Sequence, residues 1–314
     1  MDGIGEVSGL RARAGRLRPD TGLIVRMVLA LALLGVVYAL FLLVLYDLGV
    51  SYVLLVVIGG GLLMVQFFYS DRLVLMSMGA RVVNERQAPD LHAIVAKVAQ
   101  LADLPKPQVA ISPSGVPNAF ATGRSPKHAV VCVTRGILDR LDDEELEAVL
   151  AHEITHVKNR DMMVITFVSF FATAASLIFQ NGFFMMGFGG FGGGFGGGRG
   201  RRDANSMAIV WIVSLLVWLV SFFLIRAISR YREYAADRGS GILTGRPSEL
   251  MSALVKISDT NRRIPDRDLR QVEGLSAFFI VPALSRGSVQ ELLSTHPSLE
   301  HRLARLRTLE SQLR

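Results

Sequence analysis

Cysteine is almost missing from this chain of 314 residues: there is one, Cys132. A single thiol excludes internal disulfides and every cysteine-built zinc cluster. It sits inside Ala129-Val-Val-Cys-Val133, where a small buried apolar role is expected. RNA- and DNA-binding motifs are absent too, so the formal net charge of +7 needs another origin, and no nucleic-acid partner is expected. The arginines gather beside apolar segments, as membrane topology would have them. The chain also lacks the polarity of a wholly water-exposed protein: 51% of its residues are hydrophobic and its mean hydropathy is +0.40. Part of it must lie in lipid.

Four segments are long and apolar enough for that. Leu23 to Tyr46 offers 24 residues, interrupted near the start by Arg26, whose long side chain can reach the headgroups. It has no small-residue cleavage site, which favours a transmembrane helix over a signal peptide. Asp47-Leu-Gly49 reads as a turn into a second span, Val50 to Tyr69. Met162 to Met186 and Met207 to Ile228 supply a third and a fourth. Between these last two, residues 187–206 are so rich in glycine that ordering the backbone is costly, and a flexible loop is expected. Four spans leave the tail 1–20 and residues 70–161 and 229–314 on one side. Arg11, Arg13, Arg16, Arg18, Arg72, Arg230 and Arg232 make that side the cytoplasm; Arg199, Arg201 and Arg202 run against the rule.

Residues 70–161 read as a mixed, water-exposed region. Leu91, Ile94, Val95, Val98 and Leu101 mark an amphipathic helix ending near Leu104-Pro105. Short strand-like runs follow at Gln108–Ser112, Pro117–Thr122 and His128–Thr134, with Gly123-Arg-Ser-Pro126 closing the last two into a hairpin. Then comes the stretch that carries chemistry. Asp142 is a good helix cap, with Glu145 placed for a capping box and Leu141 and Leu146 for a hydrophobic staple. Leu146, Val149, Leu150, Ile154 and Val157 continue at helical spacing.

On that helix His152 and His156 stand four apart and share a face, with Glu153 beside them. Two neutral imidazoles leave a Zn²⁺ ion strongly Lewis acidic; a carboxylate usually completes three protein ligands, and the fourth position serves a water whose pKa falls to about 7. Just past the fourth span, Glu233 and Asp237 are again four apart, and the helix bearing them is expected to stop at Gly239. If the His helix runs on into the third span and the fourth span into the Glu helix, His156 and Glu233 lie roughly 9 and 8 Å from the membrane core at 1.5 Å per residue. A membrane hairpin then delivers both sets of ligands to one height.

His152-Glu-Ile-Thr-His156, Lys158-Asn-Arg-Asp161, two apolar spans and Glu233-Tyr-Ala-Ala-Asp237 together resemble the HtpX family of membrane zinc metalloproteases, relatives of the CAAX prenyl endopeptidases. The resemblance runs from about Leu23 to Arg314. It implies one zinc ion per chain on His152, His156 and Glu233, Glu153 as catalytic base, and Asp237 as the carboxylate that orients a ligating histidine. It implies that Pro117, Asn118, Ala119, Phe120 and Ala121 form a strand against which an extended substrate pairs. From His296-Pro-Ser-Leu-Glu-His-Arg302 it implies His296 as a donor to the oxyanion and Arg302 as the partner of a site carboxylate. His301 points elsewhere on its helix, and His92 and His128 read as ordinary histidines. Leu275–Val281 is too short to span and would pack at the membrane interface or line the cleft.

The fold expected is mainly α with a small β-sheet: a four-span helical membrane protein carrying a zincin-like catalytic domain, 70–161 with 229–314, on the cytoplasmic side of the cell membrane. The activity expected is hydrolysis of peptide bonds in unfolded or misfolded membrane proteins, with polypeptides and the lipid bilayer as partners. Two rivals stand beside it. One is a peptidase that processes a single lipidated or membrane-anchored peptide; the other is a silent scaffold that uses zinc for structure, against which the intact Glu153 argues.

Overall fold

The computed structural model describes residues 21–47, 52–166, 175–176, 200–264, 280 and 296–314. The tail 1–20, the turn after Asp47, most of the third span and of the glycine-rich loop, and the 275–281 run apart from Ile280 lie outside the described residues. The elements are α1 (Thr21–Asp47), α2 (Tyr52–Ser77), β1 (Arg81–Val83), α3 (Pro89–Ala102), β2 (Gln108–Ser112), β3 (Ala119–Thr122), β4 (Val130–Thr134), the short α4 (Arg135–Leu138), α5 (Asp143–Lys158), α6 (Gly200–Thr244), α7 (Pro247–Arg263) and α8 (Leu299–Leu313). The protein is mainly helical with a small mixed sheet, and it divides into two units. Residues 24–67 and 164–228 form one, and residues 68–163 with 229–314 the core of the other.

In the apolar unit, Leu34, Tyr38, Phe41 and Leu45 of α1 share a buried cluster with Val217 and Ile228 of α6. The remaining faces are apolar yet uncovered: Leu29 is 63% exposed, Leu43 61% and Phe223 59%. Water would penalise such a surface, whereas lipid accepts it. Among the described residues two helices, α1 and α6, are long and apolar enough to cross a bilayer.

The second unit is built on the sheet, ordered β1-β2-β4-β3, with β2 and β4 parallel and the two outer pairings antiparallel. All five residues of the inner strand β4 are buried, as expected of a strand covered on both faces. On one face Phe120 and Cys132 pack with Val74, Met78, Ala110 and Val130. On the other, Ala119, Ala121, Val131 and Val133 meet α3, α5 and α7 through Val95, Val98, Leu150, Ile154, Leu250 and Leu254. Helix α3 ends where anticipated, at Asp103, whose φ of +61° lets its N–H and that of Leu104 return to the last carbonyls.

Several expectations need correction. Helix α6 begins at Gly200 rather than at 207, so the last seven residues assigned to the loop are helical, and it passes Gly239 to end at Thr244. Gly245, with φ +67°, terminates it instead. Gly239 serves contact: a Cβ there would lie 2.3 Å from Thr155 Cγ2 and 2.6 Å from its Oγ1. The glycine lets α6 lie directly on α5, and Ser240 Oγ donates to Ala148 O across the same crossing at 2.6 Å. Third, α5 does not run on into the following apolar stretch. It stops at Lys158, Arg160 takes φ +57°, and a new helical turn covers 161–166. The strand β1 was not expected at all, and the third strand begins at Ala119 rather than Pro117.

Candidate metal centre

Helix α5 carries the centre, and its start is fixed as the sequence requires. Asp142 Oδ1 accepts from Glu145 N at 2.9 Å, and Asp142 N donates to Glu145 Oε2 at 3.2 Å, completing the capping box. From Glu145 to Val157 every residue is buried, so the helix is covered all round rather than along one stripe. Polar side chains on such a helix must find partners, because an unpaired buried charge costs several kcal/mol. Their partners define the site.

His152 and His156 project together, their rings edge to face with centroids 4.8 Å apart and their Nε2 atoms at 3.2 Å. Glu233, from α6, closes the group: its oxygens lie 3.5 Å from His152 Nε2 and 3.4 Å from His156 Nε2. One ligand atom from each of the three residues falls within 4.8 Å of the others. The opposite ring nitrogens face carboxylates. His156 Nδ1 is 2.6 Å from Asp161 Oδ2, and His152 Nδ1 is 3.0 Å from Asp237 Oδ1. Carboxylates at Nδ1 favour the proton there, which leaves the Nε2 lone pairs aimed at each other and at Glu233. Such a set repels itself unless a cation sits among it. Glu233 Oε2, buried and accepting no hydrogen bond, is the atom a metal would satisfy. The residues present therefore fit a divalent metal.

The electrostatics agree. Burial alone would lower the His156 imidazole, yet Asp161 and Glu233 push it up to about 10, so a proton is taken up where positive charge is wanted. Burial would likewise raise Glu233, but His296, His152 and His156 hold it well below the usual carboxylate range. Asp237 is lowered against burial by Arg302 and His152. Glu153 moves the other way: burial raises it, and the two histidines oppose that only in part. A glutamate that prefers its proton is poised to accept one.

The other anticipated residues also come together. Arg302 is fully buried and grips Asp237 with two bonds, Nε to Oδ2 at 2.8 Å and Nη2 to Oδ1 at 2.6 Å, while Nη1 donates to Ile280 O. His296 Nδ1 stands 3.3 Å from Glu233 Oε2. Glu153 Oε2 accepts from the backbone N–H of Ala121 at 2.9 Å, which sets β3 beside the base. Asn118 is turned inward: its Oδ1 accepts from Ile280 N and its N–H donates to Thr134 Oγ1, so it shapes the fold at this point. Phe120 fills the core on the far face of the sheet. His92, His128 and His301 make local contacts, with Val83 O, Ser125 Oγ and Ser298 Oγ. Asp161 and its neighbour Arg232 received no role in the site from the sequence, although Asp161 ends the Lys158-Asn-Arg-Asp161 motif. Its place five residues after His156 becomes legible only once the helix is known to break at Arg160.

With this geometry in hand, comparison with known proteins is informative. The profile of peptidase family M48 matches residues 85–310. The Protease HtpX homolog of Moorella thermoacetica is 59% identical over 299 residues, 95% of this chain and 98% of that one. Protease HtpX homolog 2 of Methanosarcina acetivorans is 51% identical over 294 residues, 94% of this chain and 97% of that one. A crystal structure of S. mikatae Ste24p shares the fold, with a TM-score of 0.53 at 18% identity, over 89% of this chain and 63% of that one. A match this long, to relatives this similar, leaves one reading of the site: the chain belongs to peptidase family M48 and is a membrane metalloprotease that hydrolyses peptide bonds.

Proposed function

We propose that the metal is a single Zn²⁺ ion held by His152, His156 and Glu233, that Glu153 is the general base, and that the substrates are unfolded or misfolded membrane proteins cleaved at the cytoplasmic face. The observation that carries this reading is the convergence of two imidazole nitrogens and one carboxylate oxygen within 4.8 Å, the donor set that zinc takes in hydrolases. Held by His152, His156 and Glu233, the ion would supply Lewis acidity to the scissile carbonyl and a water whose pKa falls to about 7.

The chain's own groups do the rest. Glu153, its carboxyl raised by burial, accepts the proton of the attacking water and passes it to the leaving amine. Its bond to Ala121 N–H puts the base against β3, an outer strand of the sheet. An extended peptide laid along that edge is gripped by backbone hydrogen bonds, so many sequences are accepted and side chains select weakly. Asp237, fixed by Arg302, holds His152 in the tautomer that ligates. His296 beside Glu233 is the candidate donor to the oxyanion.

Around this site the apolar segments 23–46, 50–69, 162–186 and 207–228 are read as four spans, with 70–161 and 229–314 together as the cytoplasmic catalytic part. The distribution of Arg72, Arg230 and Arg232 supports that orientation, and the quality-control role follows from the resemblance of the motifs to those of the HtpX family. The test is Glu153→Gln in the full chain. It should retain zinc while cleavage of an unfolded protein, and self-cleavage, fall by at least 10²-fold. Undiminished proteolysis would end the assignment of Glu153.

A further inference from the structure

We propose that Asp161 is a brace between the two helices that supply the metal ligands: it fixes the His156 ring and, through Arg232, the stretch of α6 that carries Glu233. The inference rests on the assignment of His156 and Glu233 as ligands and adds two positioning residues to it.

The argument starts from the backbone. Helix α5 stops one turn short of where a continuous helix would carry the chain, and Arg160 adopts φ +57°. A non-glycine residue in the left-handed region is costly and persists where the surroundings require it. Here the reversal returns Asp161 to the helix just left. Its Oδ2 lies 2.6 Å from His156 Nδ1, the shorter of the two carboxylate contacts to the site histidines. The same oxygen is 3.4 Å from Nε of Arg232. Asp161 is 4% exposed and Arg232 7%, so water screens neither. Arg232 immediately precedes Glu233, whose oxygen faces His156 Nε2 at 3.4 Å. Asp161, Arg232, Glu233 and His156 thus close a ring of contacts that ties α5 to α6 at the height of the ligands. Arg302 and Asp237 do the equivalent for His152, from the other end of the chain.

A ligating histidine with its second nitrogen held by a carboxylate binds metal more tightly, and losing that partner typically costs 10–100-fold in affinity. The experiment uses the full-length protein in detergent, in a Glu153→Gln background that suppresses self-cleavage, and follows loss of zinc to a competing chelator. Asp161→Asn keeps the shape and removes the charge; it should weaken zinc binding 10–100-fold while far-UV circular dichroism of the metal-free protein is unchanged. Arg232→Gln should weaken zinc binding too, and the double variant should lose less than the product of the two factors, because both act through one contact. Zinc held by Asp161→Asn within twofold of the parent overturns the brace, as does a double variant whose losses simply multiply. If Asp161→Asn does not fold, Arg232→Gln decides alone: unchanged zinc affinity refutes the proposal. His156→Ala separates the two readings. If that variant retains zinc like the parent, the ligand assignment fails, whereas its loss of zinc beside an unaffected Asp161→Asn removes only the brace.

Discussion

Replacing Gly239 with alanine should damage an enzyme whose reacting groups it never touches. The added methyl would stand 2.3 Å from Thr155 Cγ2, 2.6 Å from Oγ1 and 3.0 Å from Cβ, where ordinary contact begins near 3.4 Å. Rotating Thr155 only exchanges Cγ2 for Oγ1, which is held to Ala151 O at 2.8 Å, and Cβ cannot move without the helix. Relief therefore requires α6 to retreat from α5 by about 1 Å, a strain that typically costs about 1–3 kcal/mol in a packed interior. Asp237 and Glu233 lie two and six residues before Gly239 on the same helix and must move with it. Misplacing a reacting group by 1 Å can cost about 10²-fold in rate. Gly239→Ala should accordingly lower thermal stability, hold zinc less tightly and cleave an unfolded protein about 10²-fold more slowly. Adding Thr155→Ala removes the two closest atoms and should recover most of each loss. A Gly239→Ala protein with unaltered stability, zinc content and rate would refute this account of the helix crossing.

Cys132 should not react with maleimide in the native protein at neutral pH and should label fully once unfolded. Burial pushes its thiol from about 9 up to about 12, so the native state keeps a proton that the unfolded chain releases. The sign follows: this group costs nothing below pH 9, and native stability falls as pH rises from there towards 12; prompt labelling of folded protein would contradict the burial. At Arg160, held at φ +57°, glycine should preserve both stability and zinc binding. Arg160→Val should be less stable than Arg160→Gly by about 1–2 kcal/mol in denaturant titration, and equal stabilities would mean the backbone is not constrained there.

Local rules made much of this molecule legible. The capping box of α5, the apolar spacing of α3, the hairpin around Gly123 and the buried role of Cys132 each depend on neighbours in sequence or on a short apolar pattern. The four-residue spacings of His152 with His156 and of Glu233 with Asp237 likewise expose shared faces before any tertiary structure is known. What escaped depends on contacts between distant segments. Gly239 looks like a helix terminator until Thr155 is seen against it. Asp161 looks like the end of a surface motif until Arg160 reverses the chain. The stripe on α5 suggested one buried face, but α3, α6, α7 and the sheet cover the helix on all sides. A periodic pattern cannot announce that, because a histidine or a glutamate on the remaining face is polar in sequence and buried in fact.

The most direct measurement is the structure of the zinc-loaded Glu153→Gln protein with anomalous scattering at the zinc edge. The account predicts one ion bonded at about 2.0–2.2 Å to Nε2 of His152, Nε2 of His156 and an oxygen of Glu233, with its fourth position open to solvent. An ion remote from Glu233, or one enclosed by four protein ligands, would contradict it.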